Sequence, residues 1–160
     1  MLRYRLGPGS TLILRQGDLT RFRGDAIACQ AVPEVRRGVR CPTGEARLTS
    51  AGELPCKHVI HTVGPVYASA AASAPLLRAA YRSSLSQARR AGLKSIAFPA
   101  ISCGVYGYPL DEAAAIALET CRDEAAAPLE EVNFLLFGDA AFAAWKKAAQ
   151  DLALEQLAEA

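Results

Sequence analysis

The 160-residue sequence lacks several features that point to common classes of function. Its five cysteines form no Cys-x-x-Cys pair and no zinc-type spacing, so we predict no metal and no cofactor. No uncharged apolar run reaches the roughly 18 residues that a membrane span needs. Eighteen basic and sixteen acidic residues leave a formal charge of +2, which is not the charge pattern of a nucleic-acid-binding protein. Neither a membrane nor a nucleic acid is therefore a predicted partner.

The composition is that of a globular protein, with 51% hydrophobic and 21% charged residues. The length predicts a single domain over 1–160. Arg36, Arg37 and Arg40 form one basic cluster, which we interpret as a solvated loop. The odd cysteine count and the absence of a secretory apolar segment at 1–5 predict a cytoplasmic or nuclear protein, and organelle import stays open.

Hydrophobic periodicity predicts alternating strands and helices, which is typical of a largely parallel sheet. Leu77, Tyr81 and Leu85 have helical spacing, and Gly92 ends that helix. A connector is predicted over 67–73. A loop is predicted over 30–42, where the sequence has neither the two-residue period of a strand nor the 3.6-residue period of a helix. Strands are predicted at 2–6, 11–16, 26–29, 44–49, 57–63, 95–101 and 132–137, and helices at 74–91, 110–126 and 140–157.

The stretch from Phe98 to Pro109 combines an apolar strand, a short loop with two glycines and the start of a helix. Backbone N–H groups and the helix dipole hold anions, usually phosphate, in this arrangement. Tyr106 and Tyr108 add aromatic surface beside it. In parallel sheets ligands lie beyond the carboxyl ends of strands, where this loop and Phe137-Gly138-Asp139 are expected.

Four segments together resemble a macrodomain, the ADP-ribose-binding module. They are Gly17–Thr20 with Asp25–Ile27, then Pro42–Ala46, Val59–Pro65 and Ile96–Pro109. The resemblance covers about 12–147 and is nearest to the hydrolases of mono-ADP-ribose and O-acetyl-ADP-ribose. It implies a three-layer α/β/α fold with a mixed, mostly parallel central sheet. It also implies that the partner is an ADP-ribose-type small molecule or a mono-ADP-ribosylated protein.

The resemblance implies roles for individual residues. Asp18 would accept a hydrogen bond from the adenine amino group, with the Leu19 backbone beside the ring. Phe137 would occupy the position of an aromatic side chain that packs on adenine. The backbone N–H groups of one loop would enclose the diphosphate and the distal ribose: Ser102, Cys103, Gly104, Val105, Tyr106 and Gly107.

The chain departs from the family pattern after Asp25-Ala26-Ile27. There the family continues with Asn-Ala-Ala-Asn, a glycine-rich loop bearing an Asp, and a helix. In this chain Ile27 is followed directly by 28–33, which resembles the family sequence beyond that helix. The first Asn in the chain is Asn133, and the chain has no Gly-Gly pair. We therefore predict that one helix and one loop are missing, and we assign no catalytic residue.

Single residues also have simpler interpretations. Asp18 can be a turn or N-cap residue, and the 102–108 loop can be an ordinary connection. We interpret Cys103 as a structural thiol and His61 as a core histidine, and we place Phe142 and Trp145 in the core. Phe137 fits a core position and a position on adenine equally well.

Three hypotheses of function follow. The first is binding of ADP-ribose or a derivative, with hydrolase activity lost or strongly impaired. The second is residual hydrolysis of an ADP-ribose ester. The third is a truncated, non-binding chain, in which apolar sheet surface near Ile27 and Ile101 would be exposed and cause marginal stability or aggregation.

Overall fold

The computed structural model describes residues 1–30, 34–36 and 39–159. Within these residues, nine strands and three helices follow one another along the chain. In order they are β1 (Leu2–Gly7), β2 (Ser10–Gln16), β3 (Ala26–Gln30), β4 (Glu34–Arg36), β5 (Val39–Arg40), β6 (Ala46–Ser50), β7 (His58–Thr62), α1 (Ala70–Arg90), β8 (Ser95–Phe98), α2 (Leu110–Glu124), β9 (Glu131–Leu136) and α3 (Asp139–Asp151).

The main sheet has the strand order β1-β2-β9-β8-β3-β7-β6. Its five central strands, β2, β9, β8, β3 and β7, run parallel, and the edge strands β1 and β6 pair antiparallel with their neighbours. The predicted α/β fold with a mixed, mostly parallel sheet is confirmed. Because the central strands are parallel, all five end at the same edge of the sheet.

The three helices cover one face of this sheet. Helix α2 packs against both α1 and α3, which places the helices in one layer. Every second side chain of the central strands points into this layer, as Phe98 and Phe134 do, with ring centroids 5.4 Å apart. Tyr81 and Trp145 pack against these rings and are fully buried. Trp145 is therefore a core residue, and Phe142 packs partly buried beside the core.

The opposite face is covered by short segments instead of a full helix within the described residues. Ile27, Ala97 and Leu135 pack there under Phe22, which follows a 3-10 turn at Leu19–Arg21, and against Cys56 and the partly buried Leu54. The exposure near Ile27 and Ile101 that the hypothesis of a truncated, non-binding chain predicts is not found, since these residues are only 3% and 1% exposed. The small apolar cluster covers Ile27, whereas Ile101 belongs to the helix-side core.

Two helix ends differ from the sequence prediction by four or more residues. Helix α1 begins at Ala70, within the predicted connector, because the Ser69 side chain caps it by accepting from the Ala72 N–H. Helix α3 ends at Asp151, because the chain beyond it pairs with β1, where the Leu157 N–H donates to the Arg3 carbonyl at 2.8 Å.

The predicted loop over 30–42 holds the antiparallel pair β4–β5, so the loop prediction is wrong for those residues. Residues 31–33 and 37–38, with Arg37 of the basic cluster, lie outside the described residues. Arg40 is exposed, as predicted. No helix in the described part of the chain is long and apolar enough to cross a membrane.

Candidate functional site

The loop between β8 and α2 presents unpaired backbone donors. Three hydrogen bonds close it: Cys103 N–H to Ala100 O at 3.2 Å, Gly107 N–H to Gly104 O at 3.0 Å, and Tyr108 N–H to Ser102 O at 2.9 Å. Among the described residues, no partner is present for the N–H groups of Gly104, Val105 and Tyr106. Three successive N–H groups without a protein acceptor are a donor set of the kind that can bind an anion.

The conformation of this loop depends on two residues with positive φ. Gly107 has φ 72°, which glycine adopts without steric cost, and Ser102 has φ 66°, which is uncommon for a residue with a Cβ. Ser102 is held in place by its burial, at 5% exposure. Such local strain is found preferentially at ligand sites.

A cleft of about 490 Å³ lies between this loop and the end of β9. Gly104 lines one side, and Phe137 and Gly138 line the other. The Phe137 ring is 95% exposed, so its position is not a core position. A Cβ built on Gly104 would have no atom within 4 Å, so any larger side chain there would project into open space.

The start of α2 borders the same cleft. Pro109 precedes the helix without a side-chain cap, and the first intrahelical bond is that of the Ala113 N–H, so the first-turn N–H groups have no intrahelical acceptor. Leu110 lines the cleft, whereas Asp111 lines a separate groove between α2 and α3. The donor end of α2 thus adds positive potential beside the loop.

Two smaller cavities extend the cleft along the ends of the parallel strands. One of about 390 Å³ lies on the other side of the loop and is lined by Gln30, Ser102 and Tyr106. It shares Pro99, Ala100 and Gly104 with the large cleft. The other, of about 190 Å³, is lined by Asp18 and shares Leu135 with the large cleft.

Asp18 lies beside the end of β9, because the preceding Gly17 N–H donates to the Leu136 carbonyl at 3.2 Å. Its Oδ1 accepts from the Thr20 N–H at 2.9 Å and from the Thr20 hydroxyl at 2.7 Å. Its Oδ2 has the Arg21 Nε at 3.8 Å, beyond hydrogen-bond distance. The turn-capping interpretation is confirmed, and one carboxylate oxygen still faces outward as an acceptor.

The charge state of Asp18 is well defined. The Thr20 hydroxyl, the Thr20 N–H and the nearby Arg21 charge hold the pKa of this carboxyl below its usual value. Leu19 begins the 3-10 turn and packs, partly buried, against the small apolar cluster.

Of the predicted site residues, Cys103, Gly104 and Phe137 line the large cleft. Asp18 lines the adjoining cavity of about 190 Å³, and Ser102, Val105 and Tyr106 line the one of about 390 Å³. Leu19 and Gly107 line none of these three cavities.

Cys103 and His61 have the properties expected of structural residues. Burial raises the pKa of the Cys103 thiol to about 12, so it is protonated at neutral pH and is a weak nucleophile. The His61 Nε2 lies 2.8 Å from the Thr49 Oγ1, and burial lowers the pKa of the imidazole. Within the described residues, no group of three or more His, Cys, Asp or Glu side chains could hold a metal ion.

Two residues beside the cavity of about 390 Å³ were not expected from the sequence, Gln30, which lines it, and Gly64, which contacts Gln30. Gln30 ends β3 at the same sheet edge as the loop, and its Nε2 donates to the Gly64 carbonyl at 3.2 Å. A Cβ on Gly64 would lie 2.3 Å from the Ser102 Oγ, so only glycine fits there. The Gly64-Pro65 pair at the end of an apolar run could have drawn attention to Gly64. The sequence has no periodicity or motif around Gln30 that could have done the same.

Comparison with known proteins gives a family and a set of relatives. The family model described as Macro domain matches residues 17–117. A macro domain-containing protein of Xanthomonas campestris is 51% identical over 110 residues, which cover 67% of this chain and 62% of the relative. One from Vibrio parahaemolyticus is 44% identical over 134 residues, covering 82% of this chain and 78% of the relative. One from Streptomyces coelicolor is 38% identical over 165 aligned positions, covering 86% of this chain and 96% of the relative.

Solved structures are similar over most of the chain. A structure of an Oceanobacillus iheyensis macrodomain with ADP has a TM-score of 0.86 and 29% identity, and the match covers 94% of this chain and 95% of that one. A Trypanosoma brucei macrodomain in complex with ADP-ribose has a TM-score of 0.79 and 33% identity, covering 92% of this chain and 74% of that one.

Proposed function

This chain belongs to the Macro domain family, and we propose that it binds ADP-ribose or an ADP-ribose derivative, with hydrolase activity lost or strongly reduced. The observation that carries the binding proposal is the set of unpaired N–H groups at Gly104, Val105 and Tyr106, in the loop that separates the large cleft from the cavity of about 390 Å³. A diphosphate is the group that such a donor set binds best. The related structures with ADP and with ADP-ribose support this choice of ligand.

In this proposal the adenine lies beside Asp18, where the cavity of about 190 Å³ adjoins the large cleft. The outward Oδ2 of Asp18 is an acceptor for the exocyclic amino group, and the exposed Phe137 ring offers a face for stacking. The diphosphate then lies over 102–107, and the distal ribose lies in the cavity beyond the loop, beside Gln30.

Loss of hydrolysis is supported by the lining of that distal cavity. Among the described residues that line it, none carries a carboxylate or an imidazole, so no side chain there can activate a water molecule. The missing segment has support from the Streptomyces coelicolor relative. The alignment with this relative has 165 positions, which is more than the 160 residues of this chain, and it includes only 86% of the chain. The relative therefore has residues that align with gaps in this chain.

Calorimetric titration with ADP-ribose tests the binding proposal. We expect measurable binding that is weaker than that of a complete site, since each lost charged hydrogen bond costs about 1.5–3 kcal/mol, or one to two decades of affinity. Gly104→Glu should abolish binding, because its side chain would enter the cleft and add negative charge beside the diphosphate. Heat equal to dilution at millimolar ligand in the unaltered protein would contradict the proposal.

Turnover of O-acetyl-ADP-ribose tests residual hydrolysis. We expect no turnover above background, and the Gly104→Glu variant serves as the control for a contaminating enzyme. Turnover that this variant abolishes would show that the site retains chemistry. Recognition of a mono-ADP-ribosylated protein, the single-domain organisation and a cytoplasmic or nuclear location stay predictions.

A further inference from the structure

The segment between β7 and α1 contacts the loop between β8 and α2 at one backbone position. The Tyr67 N–H donates to the Tyr106 carbonyl at 2.9 Å. Among the described residues, this is the only backbone hydrogen bond that joins 102–107 to a segment outside 100–108. The three bonds that close the loop all lie within 100–108. Tyr67 is therefore the backbone anchor of this loop to the rest of the protein.

The peptide that joins Tyr106 to Gly107 is held at both of its polar atoms. Its carbonyl oxygen accepts from the Tyr67 N–H, and its N–H donates to the Gly104 carbonyl at 3.0 Å. The second bond closes a four-residue turn over 104–107, which contains all three N–H groups without a protein acceptor. Because a peptide unit is planar, the two bonds together fix the orientation of the last peptide in this turn.

The Tyr67 ring supports the same contact. It packs edge-on against the Tyr108 ring, with centroids 4.8 Å apart and an angle of 66° between the ring planes, which is a favourable geometry for two aromatic rings. Tyr108 is 3% exposed and its N–H donates to the Ser102 carbonyl at 2.9 Å, so the ring of Tyr67 contacts the fixed end of the loop. The ring thereby places the Tyr67 N–H beside the Tyr106 carbonyl.

The segment that carries Tyr67 is itself attached to helix α1 and to the start of the loop. The Ala68 N–H donates to the Ser73 Oγ at 3.0 Å, and Ser73 is buried in the first turns of α1. A Cβ built on Gly64 would lie 2.5 Å from the Ile101 Cγ2, so the two segments are in direct contact. The anchor at Tyr67 is thus supported by the helix layer and not by the loop alone.

We propose that Tyr67 is a positioning residue for diphosphate binding, which holds the 104–107 turn in the conformation whose N–H groups bind the ligand. This assignment rests on the proposed function. Tyr67 lines none of the three cavities at the carboxyl ends of the strands, so it acts through the loop and not by touching the ligand. A turn that is ordered before the ligand arrives loses less conformational entropy on binding, which raises affinity.

Calorimetric titration with ADP tests this role. Tyr67→Ala removes the ring that places the N–H, and it should weaken ADP binding about three- to tenfold. Tyr67→Phe keeps the ring and should restore the affinity of the unaltered protein. Tyr67→Leu keeps most of the apolar volume but not the edge-on contact, so it should also weaken binding, and it replaces Tyr67→Ala if that variant does not fold.

Phe142→Ala is the matched control, because it removes another partly buried ring that packs against the core, on α3 and outside the three cavities. It should lower the melting temperature and leave the ADP affinity unchanged. In all Tyr67 variants the preference for ADP over inosine diphosphate should be kept, since in the proposed function the base lies beside Asp18 in another cavity.

Amide hydrogen exchange without ligand gives a second readout. The Gly107 N–H closes the turn, so it should exchange faster in Tyr67→Ala than in the unaltered protein, in Tyr67→Phe and in Phe142→Ala. The positioning role requires faster exchange and weaker binding together, and either change alone would overturn it.

The remaining outcomes separate this inference from the proposed function. An equal loss of affinity in Tyr67→Phe would assign the effect to the hydroxyl, and an equal loss in Phe142→Ala would assign it to overall stability. Both results would overturn the positioning role and leave diphosphate binding intact. No binding of ADP by the unaltered protein would overturn the proposed function together with this inference.

Discussion

The two ends of the parallel strands differ in how completely their polar groups are paired. At the amino ends, Asp25 precedes β3 and joins the starts of β7 and β8. Its Oδ1 accepts from the Lys57 ammonium at 2.8 Å, and its Oδ2 accepts from the N–H groups of Lys94 and Ser95 at 2.7 and 3.2 Å. The Asp25 N–H donates to the Ser95 hydroxyl at 2.9 Å.

At the carboxyl ends, the corresponding groups lack partners among the described residues. Three backbone N–H groups are unpaired there, those of Gly104, Val105 and Tyr106. Two side-chain oxygens are unpaired as well, the Ser102 Oγ and the Gln30 Oε1. The polar groups of Asp25 at the amino ends are therefore paired within the protein, whereas donors and acceptors at the carboxyl ends are left unpaired. This division is general in parallel α/β proteins, in which the ligand edge gives up stability.

Asp18 and Asp25 show the same contrast in single residues. Both carboxyls have a pKa below the usual value, through different partners. Both oxygens of Asp25 are hydrogen-bonded within the protein, whereas Asp18 uses only Oδ1. A lowered pKa by itself does not separate a structural from a binding aspartate, but the count of unused oxygens does.

The largest effect on stability is expected from Asp25→Ala. It removes three hydrogen bonds to a carboxylate that is 16% exposed, so the free energy of unfolding should fall by about 3 kcal/mol. Urea denaturation measures this, and the ADP-ribose affinity of the folded variant should be unchanged. Asp123→Ala is the control, because Asp123 makes only an exposed ion pair with Arg122. A loss no larger than that of the control would contradict the structural role.

The contribution of Asp25 should depend on pH. Its hydrogen bond with Lys57, and those with the Lys94 and Ser95 N–H groups, lower the pKa in the folded state. The stabilisation is therefore present above the unfolded-state pKa of about 3.9 and is lost as the pH falls through the folded-state value. The difference in unfolding free energy between the unaltered protein and Asp25→Ala should shrink from pH 7 to pH 3. A constant difference would contradict this assignment.

At the ligand edge, Asp18→Ala should weaken ADP binding about tenfold, the cost of one charged hydrogen bond at an exposed site. Inosine diphosphate, which lacks the exocyclic amino group, gives the sharper test by titration. The unaltered protein should prefer ADP, and the variant should bind both nucleotides equally. A variant that keeps the preference would show that Asp18 only caps the turn.

The smallest predicted effect is that of Phe137→Ala. Loss of base stacking should weaken ADP-ribose binding about fivefold, since such contacts are worth about 1 kcal/mol. The melting temperature should not change, because the ring is almost fully exposed. Val66→Ala, another exposed apolar residue, should change neither quantity. Unaltered affinity in Phe137→Ala would place adenine elsewhere.

Much of this architecture was predictable from local pattern. The apolar runs of β8 and β9, the helical spacing of Leu77, Tyr81 and Leu85, and the glycines around Ser102 each depend on neighbouring residues. The burial of Ile27 was not predictable, because Phe22 and Leu54 reach it only after the chain has folded over the sheet. The end of α3 was missed for the same reason, since β1 provides the partner of the chain beyond it.

By itself, the sequence determined the order of the main-sheet strands and the helices, the glycine-containing loop after β8 and the resemblance to a family, because these depend on short-range spacing. The tertiary structure decided which polar groups meet. Gln30 contacts Gly64 across 34 positions and Asp25 contacts Lys94 across 69, and no periodicity relates such pairs. Parallel pairing of β2, β9, β8, β3 and β7 brings all their ends to one edge, and that pairing order creates the cleft.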